Sequence, residues 1–238
     1  MEEKLSGIVL GGVNYGENDK ILSVFTIDKG VVSARIKGVK KAGAKLKFAS
    51  EPFCFAEFVF AANGDKRTVT GASLIDSFYP LRTDLQKYYC GAVALEYVKK
   101  FAVESIVSAQ LFKITVDTLK TLAYGELSPH CALVGFLLGA LKLSGYALDL
   151  SGCSACGKEI DGRVFFDYAR GGFFCADCFD GAGREINLST FCTLKKIAAG
   201  EAVSSADAVK ALKLLDFYIA VKPEENLNAL KDLLKIYD

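Results

Sequence analysis

A chain of 238 residues with a formal net charge of +1 and 51% hydrophobic residues is long enough for one large or two modest domains plus a small module, and too apolar for disorder. The most apolar stretch, Cys131 to Leu141, is too short to span a bilayer, and the start MEEKLSGIVL puts acids where a secretory leader would put cations, so the expectation is a cytoplasmic protein without membrane contact. A net charge so near zero does not announce a polyanionic partner, which leaves that question to how the charge is distributed.

Taken in order, residues Leu5 to Asp76 read as five strands rich in Val, Ile, Phe and Thr: Leu5 to Gly12, Ile21 to Asp28, Val31 to Lys37, Pro52 to Ala61 and Arg67 to Ile75. Asp28-Lys29-Gly30 and Asn63-Gly64-Asp65 supply hairpin turns, because glycine and asparagine tolerate positive φ. Five short antiparallel strands in so few residues fit a small barrel; an OB-fold is the leading candidate and an SH3-like barrel the alternative. Alternation from Pro52 to Phe58 assigns most of the nearby phenylalanines to the barrel core.

Charge is uneven along this barrel. Between Lys29 and Lys47 the cations Lys29, Arg35, Lys37, Lys40, Lys41, Lys45 and Lys47 occur without one Asp or Glu. The connection Gly38 to Ser50 is expected to project from the rim as a flexible cationic arm that follows a phosphate backbone without reading bases. The competing reading is a solvated loop whose lysines keep an exposed segment soluble.

After Tyr79-Pro80 the apolar period changes from two to about 3.6. Thr83 to Val103, Ser108 to Tyr124 and Pro129 to Ser144 read as three helices forming a bundle, with Ser108 and Ser128-Pro129 as starts and Gly125 and Gly145 as stops. Leu188 to Ala199, Ser205 to Val221 and Pro223 to Tyr237 read as three more, with Pro223 in a first turn. His130 is the only histidine; without a companion histidine, serine elbow or paired carboxylates it reads as a packing or capping residue. No phosphate-binding glycine motif or nucleophile signature supports an enzyme.

Between the two helical sets lies SGCSACGKEIDGRVFFDYARGGFFCADCF, where Cys153-x-x-Cys156 and Cys175-x-x-Cys178 stand eighteen residues apart. Two turns at that spacing present four thiolates to one tetrahedral ion, which reads as a single structural Zn²⁺ per chain with no open position for chemistry. Two disulfides or a redox pair are the alternatives, and disulfides require an oxidising compartment. Arg163 to Phe166 and Gly172 to Phe174 read as a hairpin with Gly171-Gly172 in its turn. Cys54, Cys90, Cys131 and Cys192 sit singly in apolar surroundings and read as core residues.

These parts in this order resemble the RecO family of bacterial DNA-repair and recombination mediators. The likeness is carried by Gly7-Ile8-Val9-Leu10 before Tyr15-Gly16-Glu17-Asn18-Asp19-Lys20, by Gly30-Val31-Val32-Ser33-Ala34 leading to Lys37-Gly38-Val39-Lys40-Lys41, by Leu143 to Leu150 running into Cys153-Ser154-Ala155-Cys156-Gly157, and by Gly171 to Cys175. The resemblance implies an α+β multidomain protein: an N-terminal five-stranded OB-fold barrel over residues 1–79, a helical domain over 80–150 and 180–238, and an inserted Cys₄ zinc module over 151–179.

It also implies a non-catalytic, nucleoid-associated protein that binds single- and double-stranded DNA and anneals complementary strands. Acting with RecR, such a protein helps RecA replace single-strand-binding protein, whose C-terminal tail it contacts. Basic positions of the family motif fall on Lys37, Lys40 and Lys41, with Lys45 in the same arm and Lys20 closing the Tyr-Gly-Glu block; Arg35 and Lys47 complete the expected nucleic-acid-binding set. Family members commonly carry arginine in this arm, where lysine offers phosphate only a point charge. An RNA-binding OB-fold protein and a zinc-stabilised protein-interaction scaffold are the rival functions.

Overall fold

The computed structural model describes residues 2–64, 66–102 and 106–237. Five strands, β1 (Glu2–Tyr15), β2 (Asp19–Thr26), β3 (Gly30–Ile36), β4 (Phe55–Asn63) and β5 (Lys66–Asp76), close into a barrel of order β1-β2-β3-β5-β4. All neighbours are antiparallel except β3 and β5, which run parallel through only three pairs, Ala34 with Arg67, Arg35 with Thr68 and Ile36 with Val69. That order, with its single parallel seam, is the OB-fold arrangement, and an SH3-like barrel is excluded.

Alternation explains the interior. Val9, Leu22, Val24, Val32, Ile36, Phe58, Phe60 and Val69 project into one buried cluster, each contributing about 1.5–3 kcal/mol by leaving water. The β2–β3 turn is tied by Thr26, whose buried Oγ1 donates to the Gly30 carbonyl at 2.9 Å and accepts from the Lys29 N–H at 3.1 Å. Of the phenylalanines near β4, Phe58 enters the barrel core as the alternation predicts and Phe48 packs against that core, whereas Phe53, buried at φ of 69° before the strand begins, and Phe55 do not belong to the cluster.

The chain falls into two compact units, one of Met1–Asp84 with Leu95–Ala123, the other of Leu85–Ala94 with Tyr124–Asp238. Helix α1 (Leu85–Phe101) contributes to both, and α2 (Ala109–Tyr124) begins at Ser108, whose Oγ accepts from the Leu111 N–H at 3.4 Å. The expected three-helix bundle is not what forms. Nearly all of α2 belongs to the barrel's unit, where its Phe112 ring lies 5.4 Å from Phe25 and 6.0 Å from Phe55. The apolar faces that periodicity finds on α2 do not reveal that a barrel wall covers part of them.

In the second unit, α3 (Pro129–Leu143), α4 (Leu188–Ala198), α5 (Ser205–Val221) and α6 (Asn228–Lys235) pack around Leu133, Leu137, Leu194, Leu212, Leu215 and Leu230. Pro129 occupies the first turn of α3, and the α3 stop at Gly145 is closed by the Tyr146 N–H donating to the Leu141 carbonyl at 2.8 Å. Helix α6 starts five residues after Pro223, which does not occupy its first turn. Glu224 has φ of 58° and the Glu225 N–H donates to the Ile219 carbonyl at 3.2 Å, so residues 222–227 reverse the chain and set Leu227, Leu230 and Leu233 into the core.

Between α3 and α4 a small sheet of order β7-β6-β8 is formed by β6 (Val164–Asp167), β7 (Gly172–Cys175) and β8 (Arg184–Ile186). The predicted hairpin is present; β8 was not expected. Phe166 and Phe173 stack at 4.4 Å, Phe166 meets Tyr218 of α5 at 5.6 Å, and Tyr218 Oη donates to the Tyr146 carbonyl at 3.1 Å. No helix among the described residues is long and apolar enough to cross a membrane.

Candidate nucleic-acid interface and metal centre

The parallel seam of the barrel opens into a groove of about 400 Å³ lined by Tyr15, Ile21, Ser33, Arg35, Lys37, Lys66, Arg67 and Thr68. Four cations and no acid line it. Pairing Ala34 with Arg67 across the seam is what brings the β5 cations beside those of β3. The four are not equivalent. Arg35 is held by Asp19, whose Oδ2 accepts from Nε at 2.8 Å and from Nη2 at 2.5 Å, and its guanidinium lies 4.8 Å from the Tyr15 ring centroid. Arg67 donates to Glu3 at 3.4 Å, a carboxylate already bound to Lys29 at 2.8 Å. Lys37 and Lys66 are exposed and have no ion-pair partner among the described residues.

Beside the groove runs the connection Gly38 to Ser50, and it is not a flexible arm. The Lys40 N–H donates to the Asn18 carbonyl at 3.0 Å, and successive turns follow from Lys41 to Gly38, Ala44 to Lys41, Lys47 to Ala44 and Ser50 to Lys47. Val39 and Ala49 are buried and Leu46 packs on the barrel core. Three apolar side chains at intervals along a basic stretch anchor it, so its lysines are displayed from a fixed base.

Asp19 organises both features. Its Oδ1 accepts from the Gly38 N–H at 2.7 Å while Oδ2 holds Arg35. The Gly38 N–H first, then Arg35, keeps the Asp19 carboxyl below the usual carboxylate range, and Lys37 adds to the effect. Asp19 is thereby an anion that structures a cationic surface.

Of the residues singled out in the sequence, Arg35 and Lys37 line the groove, and Lys40, Lys41, Lys45 and Lys47 stand exposed on the adjoining connection without ion-pair partners among the described residues. Lys20 is set apart, half-buried on β2 with its Nζ 3.8 Å from Glu51. Sequence reasoning passed over Tyr15, Lys66 and Arg67. Tyr15 stood in the Tyr-Gly-Glu block, and the Lys66-Arg67 pair beginning β5 was the available signal for the other two.

In the second unit the four cysteines converge: the sulfurs of Cys153, Cys156, Cys175 and Cys178 all lie within 4.8 Å of one another. Around them the backbone is built for thiolates. The Cys153 N–H donates to the Lys158 carbonyl at 2.8 Å, the Gly157 N–H to the Cys153 carbonyl at 2.7 Å, and the Cys175 N–H points at Cys153 Sγ at 3.5 Å. Gly157 takes φ of 71° at the first turn, and a Cβ on Gly152 would meet the Lys158 carbonyl oxygen at 2.6 Å.

The sulfurs do not behave alike. Burial opposes ionisation of Cys153, but N–H groups of Cys175, Cys156 and Ala155 outweigh it and bring its pKa down to about 6. Cys178 is pushed up to about 12, chiefly by its contacts with Cys175 and Cys156. One thiolate forms readily, and its neighbours then resist a second negative charge. A cation bound at the centre would remove that conflict, so the donor set fits a metal ion held by four sulfurs with no position left for water.

Elsewhere in this unit a groove of about 390 Å³ is lined by Gly135, Leu138, Gly139, Leu148, Leu150 and Ile197, with Lys142 as its one cation. The bare positions at Gly135 and Gly139 expose the α3 surface there. His130 is fully buried in the α3 first turn, its Nδ1 2.8 Å from Ser205 Oγ and its ring edge-on to Tyr237 at 5.0 Å, the packing role expected of it.

Residues 1–78 match the family described as Recombination protein O N terminal, and residues 82–231 the family described as Recombination protein O C terminal. The chain is similar to the DNA repair protein RecO of Acetivibrio thermocellus, at 28% identity over 99% of this chain and 97% of that protein. It is 32% identical to the DNA repair protein RecO of Anaeromyxobacter sp. strain K over 85% of this chain and 82% of the relative. A third relative, from Desulforamulus reducens and bearing the same description, is 33% identical over 74% of this chain and 68% of its own length.

Proposed function

The chain belongs to the RecO family of DNA repair proteins, and from that premise we propose that it is a non-catalytic mediator that binds single- and double-stranded DNA, anneals complementary strands, and works with RecR to help RecA displace single-strand-binding protein. The observation that carries this reading is the surface formed by the seam groove and the anchored connection: Lys37, Lys40, Lys41, Lys45, Lys47 and Lys66 are exposed and free of ion pairs among the described residues. Fixed cations neutralise phosphates by releasing counterions, without preference for sequence. Two strands held against one such surface repel each other less, and their bases pair sooner.

The metal in this reading is one structural Zn²⁺. Four thiolates suit a borderline-soft ion in tetrahedral geometry, and a closed site contributes folding energy. The apolar groove on α3, with Lys142 as its one cation, suits the C-terminal tail of single-strand-binding protein, which is acidic and apolar.

The test is annealing of complementary oligonucleotides coated with single-strand-binding protein, followed by dye quenching. Wild type accelerates annealing, and the variant Lys37→Ala with Lys40→Ala and Lys41→Ala loses most of that acceleration while folded and metal-loaded. Failure of the folded wild type both to anneal and to bind any oligonucleotide overturns the mediator reading in favour of a protein scaffold.

A further inference from the structure

Resting on that DNA-binding reading, we infer that the seam groove is a nucleobase pocket: Tyr15 stacks on one unpaired base of a single strand, while Lys37 and Lys66 take its flanking phosphates. Counterion release alone explains affinity for any polyanion; this groove holds features that a purely electrostatic surface does not need.

Tyr15 is 47% exposed at the end of β1, too polar a site to be explained as core. Its ring is kept in place by the Arg35 guanidinium at 4.8 Å, and Arg35 in turn by both its hydrogen bonds to Asp19. Arg35 is therefore largely spent on Asp19 and Tyr15. Its placement makes a rigid platform: an aromatic ring backed by a planar cation, held by a carboxylate that the Gly38 N–H also fixes.

The rest of the groove matches a nucleotide unit. About 400 Å³ falls within the range of about 300–1,000 Å³ usual for small-molecule sites. Ile21 gives apolar contact on one side, and Ser33 and Thr68 offer hydroxyls that donate or accept, which suits a base edge without fixing its identity. A paired base in a duplex keeps both faces against its neighbours and cannot offer one to Tyr15, whereas a single strand can. Beyond the groove the exposed lysines continue through Lys40 and Lys41 to Lys45 and Lys47, more cations than the phosphate of one nucleotide would engage, which argues for a strand over a free nucleotide.

The chain contains no tryptophan, so Tyr15→Trp places a single indole reporter in the groove. A short oligothymidine is expected to quench its emission, a duplex of equal length to quench it far less, and thymidine monophosphate to do so only at much higher concentration. In the full-length protein, Tyr15→Leu should weaken oligothymidine binding about tenfold, within the range for one lost stacked base, while leaving the salt dependence unchanged. Tyr15→Phe should bind as wild type does. Binding measured by anisotropy with no quenching, equal quenching by duplex, equal affinity for the mononucleotide, or undiminished binding by Tyr15→Leu would each overturn the base pocket and leave the DNA-binding reading intact. Absence of anisotropy change with every oligonucleotide would overturn both.

Discussion

Replacing Lys37, Lys40 and Lys41 together by alanine should change the salt dependence of single-strand binding by an amount fixed by the ion pairs of the barrel. Seven basic side chains were singled out in the sequence, but Arg35 is neutralised by Asp19 and Lys20 is 3.8 Å from Glu51. Lys66 joins the remaining five, giving six exposed lysines free of ion pairs among the described residues. At about −0.7 per phosphate contact on a single strand, the slope of log affinity against log salt should be roughly −4 for wild type and roughly −2 for the triple variant. Between 50 and 200 mM salt that amounts to roughly a 300-fold loss for wild type and roughly 20-fold for the variant. Fluorescence anisotropy of a labelled oligonucleotide across a salt series measures both. Equal slopes would refute the reasoning, since they would mean that these lysines meet no phosphate however much the affinity changed.

The metal centre and the buried histidine give two further tests. Wild type should hold about one Zn²⁺ per chain by elemental analysis, and Cys153→Ser should lose it together with a lowered unfolding temperature; full metal content in that variant would refute a four-sulfur site. Burial holds the pKa of His130 below its ordinary 6.5, so the unfolded chain takes up a proton there that the folded chain refuses. Stability contributed by this residue is complete above that value and declines as pH falls below it, by at most about 1.4 kcal/mol per pH unit. Urea unfolding of wild type and His130→Asn between pH 7 and pH 5 measures the difference, and parallel curves would refute it.

Local chemistry made much of this molecule legible. The five strands followed from alternation and turn residues, though β1 and β4 begin three residues from their expected starts. The module hairpin followed from its phenylalanines and glycines, though Gly172 opens β7 and does not lie in the turn. The convergence of four sulfurs followed from the spacing of two cysteine pairs. What escaped was long-range. The parallel pairing of β3 with β5 joins Arg35 to residues more than thirty positions away, and nothing in either segment names the other, so Lys66 and Arg67 went unassigned. Ion pairing escaped for the same reason: a run of cations without interspersed acids looks uniformly free until the fold delivers Glu3 to Lys29 and Asp19 to Arg35 within it, and Glu51 to Lys20 and Glu3 to Arg67 outside it. Glycines and lysines in the connection after β3 suggested mobility, whereas Val39, Leu46 and Ala49 decide its structure by burial. Near the C-terminus, Pro223-Glu224-Glu225 has the composition of a helix start, but the need to turn back and bury Leu227 overrides it.

The three-pair seam between β3 and β5 has a thermodynamic consequence. It is the shortest ladder in the barrel, and the groove along it is lined by Lys37 and Lys66, which have no ion-pair partner among the described residues, so closure of the barrel brings two unneutralised cations to that line. A phosphodiester strand seated in the groove would act as a clasp, neutralising them and joining the two edges through shared phosphates. Ligand binding to the closed form alone raises its stability by RT ln(1 + [L]/Kd). The barrel's melting temperature would then report occupancy, and the protein would be most firmly closed when loaded with its strand.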